Sequence, residues 1–267
     1  MDINKLNVKP VLPFLFSKYI REYDISQCNI NMLLLSGVIN EKDYEYYKSI
    51  SKIEREIIIG KMIKNDSSIY KHIKEGILKY RNILISSNNI STNDILSIKS
   101  DAIFIIDKIL DNTIFDEYIE FKNKKSYTSF MSVSRLELYY NSADDLLDVK
   151  GISDSNFLKH ENYFLEFLKT VFYLMENNEF KESLNIISSL YHKYINKDPS
   201  LDLNYYRSFD DTCSFKLIYD TGYSFDVPIT QDRSEYDISK NIDILINLNK
   251  LITEIVLNYN RKFIKKY

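Results

Sequence analysis

The first clear change in hydrophobic patterning falls at residues 19–25, YIREYDI, where aromatic and β-branched positions follow a lead-in marked by Pro10 and Pro13 and predict a strand. The next stretch, QCNINMLLLSG, predicts a helix that stops at Gly37. From Glu41, EKDYEYYKSISKIEREIIIGKMIKND reads as helix with a break near Ser49 to Ser51, and from Ile69 the apolar positions Ile69, Ile73, Ile77 and Tyr80 recur at helical spacing. The period then changes. DILSIKSDAIFIID alternates around a polar KSD and predicts a hairpin, and EYIEFKNKKSYTSFMSVSRLELYY predicts strands with a turn at KNKK. NSADDLLDVKGIS closes this β region at Gly151. Two amphipathic helices follow from Asn156 and meet at Asn177/Asn178. CSFKLIYDTGYSFDVPI then predicts a hairpin turning at Asp220 to Gly222, and a long helix runs from Ile238 to Lys265. The order predicts an α+β protein: an antiparallel-sheet domain with flanking helices over residues 1–152, then a mostly helical region with a small β-hairpin over 153–267.

Composition refines this picture in a few respects. A chain of 267 residues, 45% hydrophobic and 27% charged, can bury a full core and is too apolar to be disordered. Ile, Asn, Lys, Ser and Tyr recur throughout, with 22 Tyr and no Trp, as an AT-rich genome would impose; Lys, Asn and Tyr therefore count for little as site markers. A net charge of −3 gives no global positive field, which leaves a local basic groove as the route to a nucleic-acid partner. Cys28 and Cys213 have neither CxxC nor Cys/His spacing, which speaks against a disulfide framework or a zinc site. No apolar stretch approaches the length of a membrane span, and no signal peptide precedes the first strand; the expectation is a cytoplasmic protein without a membrane partner, in the host cytoplasm if viral.

The chemistry centres on a repeated string. EYDIS occurs at residues 22–26 and again at 235–239. The second copy follows the polar PITQDRS, so its Asp237 and Ser239 read as caps of the terminal helix. The first follows a strand, and Asp24 reads either as the cap of the next helix or as a carboxylate at a strand's edge. Asp101, within ILSIKSDAIFII, is either a hairpin-turn residue or a second such carboxylate. If the two strands are neighbours, Asp24 and Asp101 could share Mg²⁺, which prefers hard oxygen ligands and supports in-line phosphoryl transfer. Arg55 and Lys61, in KIEREIIIGK, are either a solvated helix face or anchors for a triphosphate, and Lys150-Gly151 could be a turn.

These residues resemble a known family. DISQCNINMLL, from Asp24, resembles motif A of the family A DNA polymerases, with Asp24, Ser26, Gln27 and Leu33 on the pattern and Asn29 where that family has Glu. SDAIFI, at Ser100 to Ile105, resembles motif C in its family B form, with Asp101 on the catalytic Asp and Lys99 where that family has another Asp. KKSY, at Lys124 to Tyr127, resembles the lysine-tyrosine element that follows, and LDVKGI, at Leu147 to Ile152, the Lys-Gly segment leading into the thumb. The resemblance implies a palm-like nucleotidyltransferase, phage-encoded and minimal, split or degenerate. Asp24 and Asp101 would be catalytic and hold Mg²⁺ (or Mn²⁺). Lys125, Tyr127 and Lys150 would lie along a DNA primer-template, and Arg55 and Lys61 would hold the dNTP. A thumb-like helical region would follow residue 152, and a second protein chain would supply the missing polymerase parts. The alternative is a non-catalytic phage-type interaction or nucleic-acid-binding protein on the same frame.

Overall fold

Alternating and helical periods separate in the structure much as the pattern demands. It is a computed structural model that describes residues 1–133, 136–151, 165–196, 198–201, 216–218, 224–226 and 239–264. Two compact units share the chain: Met1–Leu12 with Lys18–Tyr127, and Pro13–Ser17 with Thr128–Tyr267.

The first unit contains β1 (Asn7–Val8), β3 (Ile20–Ile25), α1 (Cys28–Leu35), α2 (Glu41–Ser49), α3 (Lys52–Asn65), α4 (Ser68–Ser87), β4 (Ile95–Lys99), β5 (Ala102–Ile106) and β6 (Phe121–Tyr127). Its sheet is antiparallel throughout, in the order β1-β4-β5-β3-β6. Alternation sends Tyr23 and Ile25 of β3, with Ile103 and Ile105 of β5, into a core shared with Ile30 and Leu33 of α1 and Ile73, Ile77 and Leu84 of α4. The helices approach closely, since a Cβ on Gly76 of α4 would stand 2.4 Å from Sδ of Met32 on α1. Gly37 ends α1 at φ +72°, with its N–H donating to Leu34 O and that of Val38 to Leu33 O. The break between α2 and α3 is a capping box: Ser51 Oγ accepts from Glu54 N, and Glu54 Oε2 accepts from Ser51 N at 3.0 Å.

The second unit contains β2 (Phe14–Leu15), β7 (Ser129–Val133), β8 (Leu136–Asn141), β9 (Leu146–Lys150), α5 (Glu166–Glu176), α6 (Phe180–Ile195), β10 (Lys216–Ile218), β11 (Ser224–Asp226) and α7 (Ser239–Ile264). β2-β7-β8-β9 form an antiparallel sheet, and β10 and β11 pair with each other. Met131, Leu138 and Leu147 of the sheet join Phe172 of α5, Ile187 of α6 and Leu248 and Ile252 of α7 in one core. The fold class is thus α+β with antiparallel sheets and a largely helical C-terminal part. The division between units falls after Tyr127, whereas the sequence pattern puts it after Ile152. The reason is that β7 to β9 pair with β2 and pack on the C-terminal helices instead of extending the first sheet. The expected boundary at residues 152 and 153, the turn at Asp220 to Gly222 and the Asp237 cap lie outside the described residues.

Two local expectations are corrected. KNKK is not a turn: Lys122–Lys125 belong to β6, which pairs with β3 on either side of an irregularity at Lys124. Four consecutive polar residues resemble a turn, yet here they form the outer strand of the sheet. Asp24 is not a helix cap either, because the N-cap of α1 is Gln27, in the left-handed conformation at φ 52°, and Asp24 lies within β3.

Candidate functional site

The site begins with strand register. Asp24 of β3 stands opposite Ala102 of β5, so the two-residue turn Ser100–Asp101, which joins β4 to β5, lies beside the end of β3. Asp24 and Asp101 line one cleft, close enough for the charge of Asp24 to act on the Asp101 carboxyl. Burial first, then the charge and hydrogen-bonding contact of Asp24, push the Asp101 carboxyl up to about 6, while Lys124 pulls it down. On Asp24, Oδ2 accepts from Lys124 Nζ at 2.7 Å, and Oδ1 is buried without a hydrogen-bonding partner. Hydrogen bonding to Asp24 raises the Lys124 ammonium above its ordinary value.

Lys124 reaches Asp24 because β6 is bulged. Tyr23 pairs with Asn123 and Glu22 with Lys125, which leaves Lys124 as the extra residue without a partner across the ladder. A regular strand would send positions 122, 124 and 126 to one face and Tyr127 to the other. The bulge instead lets Lys122, opposite Asp24, and Tyr127, opposite Ile20, serve the same face of β3.

The turn carrying Asp101 is held from beneath. Ser100 adopts φ 54°, a conformation disfavoured for residues with a Cβ. Its N–H donates to Asn7 Oδ1 at 3.0 Å, and its carbonyl accepts from Arg81 Nη2. Arg81, 1% exposed, also donates through Nη1 to Lys5 O at 2.7 Å and to Ile3 O at 3.3 Å. Burial brings its guanidinium down to about 10, opposed by the nearby charge of Asp101. Cys28, buried below the carboxylates, is held as the thiol by burial and by Asp101 and Asp24.

Above the two aspartates lies a cleft of roughly 410 Å³, lined with four cationic side chains, Lys52, Arg55, Lys122 and Lys124, and three acidic ones, Asp24, Glu56 and Asp101. α3 contributes Lys52, Arg55 and Glu56 at i, i+3 and i+4, one helical face. Glu56 is engaged by Asn29 Nδ2 at 2.8 Å, and Arg55 Nη1 donates to Tyr47 O at 3.4 Å.

Asp24, Asp101 and Arg55 therefore meet in one cleft, and the other expected residues are distributed differently. Lys61 does not line the cleft: at about 100° per residue it falls on the opposite side of α3 from Lys52, which takes the position at the rim. Tyr127 is corrected as a nucleic-acid contact, because it is 1% exposed and its hydroxyl donates at 2.8 Å to Oε2 of the buried Glu22. Lys125 is half-buried opposite Glu22. Lys150 belongs to the second unit, where its ammonium pairs with Asp148 at 3.1 Å. Lys52, Lys122, Lys124 and Arg81 were not expected from sequence. The first was legible in helical periodicity from Arg55; the others depend on the bulge and on long-range register.

The residues fit a hard divalent cation. Two facing carboxylates, one with an unpartnered buried oxygen, offer the oxygen donors that Mg²⁺ takes, and Mg²⁺ sites use one or two carboxylates with the remainder from substrate phosphates and water. Among the described residues no group of three or more His, Cys, Asp and Glu is arranged to hold a metal.

Fold and site define an α+β protein with a paired-carboxylate cleft ringed by basic side chains. The chain belongs to the family described as bacteriophage PBS1 gene 130 protein, whose model matches residues 4–255, and it is thereby a phage protein. No curated protein matches it. Among the described residues no helix is long and apolar enough to cross a membrane.

Proposed function

We propose that the Asp24–Asp101 cleft is a phosphoryl-transfer site of DNA polymerase type, a nucleotidyltransferase acting on a primer-template and dNTP, with the first unit as a palm-like domain. The observation that carries this reading is the juxtaposition of the two carboxylates, Asp24 near the end of β3 and Asp101 in the turn before β5, in one cleft with a basic rim. Asp24 and Asp101 would hold Mg²⁺ or Mn²⁺, and a cation bound there would neutralise charge on the transferred phosphate. Lys52 and Arg55, on one face of α3, are aimed at the same space and would bind the triphosphate. Lys122, on the β6 side, would contact the nucleic-acid backbone. A second chain would supply further polymerase parts, so binding and turnover are tested separately.

Primer extension with Mg²⁺ or Mn²⁺ and isothermal titration of dNTP should both detect wild type. D101N should lose extension and weaken Mn²⁺-dependent dNTP binding at least tenfold. Wild type that neither extends a primer nor binds dNTP more tightly with Mn²⁺ would sink the reading.

A non-catalytic nucleic-acid-binding or interaction role is favoured by one feature, the ammonium of Lys124 already pairing with Asp24 at 2.7 Å. On that reading D101N and wild type bind DNA equally, with or without Mn²⁺.

A further inference from the structure

We infer that Lys124 is an internal stand-in for the cation at Asp24, and that a polyphosphate entering the cleft draws it away, so that phosphate and divalent-cation binding are coupled through this side chain. The inference rests on the cation-dependent reading of the cleft and adds to it a means of regulation.

Three features carry it. First, Lys124 Nζ lies 2.7 Å from Asp24 Oδ2, where it neutralises one oxygen and leaves the buried Oδ1 without a donor. An ammonium in that position repels a second cation on the same carboxylate. Second, the bulge gives Lys124 no cross-strand partner, and its side chain is 51% exposed, so the ammonium can leave Asp24 by rotation of its own side chain, with the ladder left intact. Third, Lys52, Arg55 and Lys122 line the same cleft, so an anion attracted there arrives within reach of Lys124. An ammonium can serve a carboxylate or a phosphate, and when it turns to phosphate, Asp24 becomes available beside Asp101. By linkage each ligand raises the affinity of the other. A partly exposed ion pair of this kind contributes up to about 1 kcal/mol, which corresponds to a factor of about fivefold in affinity.

The test uses the full chain stripped of metal. Mn²⁺ affinity is read by electron paramagnetic resonance in wild type, K124M, K124R and D101N. Inorganic triphosphate affinity is read by calorimetry in EDTA for wild type, D24N, K124M and the D24N/K124M pair. D101N should weaken Mn²⁺ binding, K124M should tighten it about fivefold, and K124R should stay near wild type. D24N should tighten triphosphate binding about fivefold by freeing Lys124, and this gain should vanish in the double variant. If D101N weakens Mn²⁺ but K124M does not tighten it, the inference is overturned and the cation site stands. A D24N gain that persists without Lys124 also overturns it, because bulk charge then explains the effect. If D101N binds Mn²⁺ like wild type, the cation reading fails and the inference fails with it.

Discussion

Replacing Asp101 by Asn should make the protein more stable at mildly alkaline pH, the reverse of what loss of a buried polar group usually does. In the folded chain this carboxyl stands at about 6 against an ordinary 3.8, because burial and Asp24 disfavour its charge. An acid whose folded value is raised binds more protons folded than unfolded between those two values. Stability therefore falls as pH rises from 3.8 through about 6, and the whole disadvantage is present above that window. A displacement of this size corresponds to ~3 kcal/mol, which residual access to water reduces to about 2 kcal/mol. Asn carries no charge, and its amide can donate to the Asp24 carboxylate. D101N should thus exceed wild type by about 2 kcal/mol near pH 8, with the gain shrinking towards zero near pH 4. Urea unfolding in EDTA across this range measures both terms. Equal or lower stability of D101N near pH 8, or a gain that does not shrink on acidification, refutes the account of the carboxylate pair.

Arg81→Met should lose about 3 kcal/mol in the same unfolding assay, since Ile3 O, Lys5 O and Ser100 O each lose a charged donor at about 1 kcal/mol or more. Gly60→Ala should raise stability by about 0.5–1 kcal/mol, because Gly60 lies in a helix interior with open space where a Cβ would sit; dNTP binding by calorimetry should not change. Gly37→Ala should lower the unfolding midpoint by an amount equivalent to about 1 kcal/mol, because its φ of +72° disfavours a Cβ.

Local periodicity carried most of the secondary structure. The helical spacing of Ile69, Ile73, Ile77 and Tyr80 is the buried stripe of α4, and KSD does sit at the turn between β4 and β5. The break before Lys52 was legible because Ser51 and Glu54 are spaced for reciprocal capping. What failed depended on partners distant in sequence. KNKK reads as a turn until β3 supplies a strand to pair with it, and the bulge that frees Lys124 leaves no mark in a run of Lys and Asn. Arg81 looks like one more charged residue on an amphipathic helix; its role emerges only when the chain's first residues and the Ser100 turn meet around it. Tyr127 matched a motif by letter, but its side chain turns inward to Glu22.

The order of pairing in the first sheet has a kinetic consequence. β1 waits for a partner some ninety residues later, Asn7 against Lys99, and β3 waits longer still for β6, Ile20 against Tyr127. Such non-local closures slow folding. During synthesis Asp24 emerges early, can meet Asp101 only after the segments of four helices have been made, and gains Lys124 last of all. No nascent fragment ending before the bulge can carry the complete cleft, because products truncated there lack the lysine that meets Asp24.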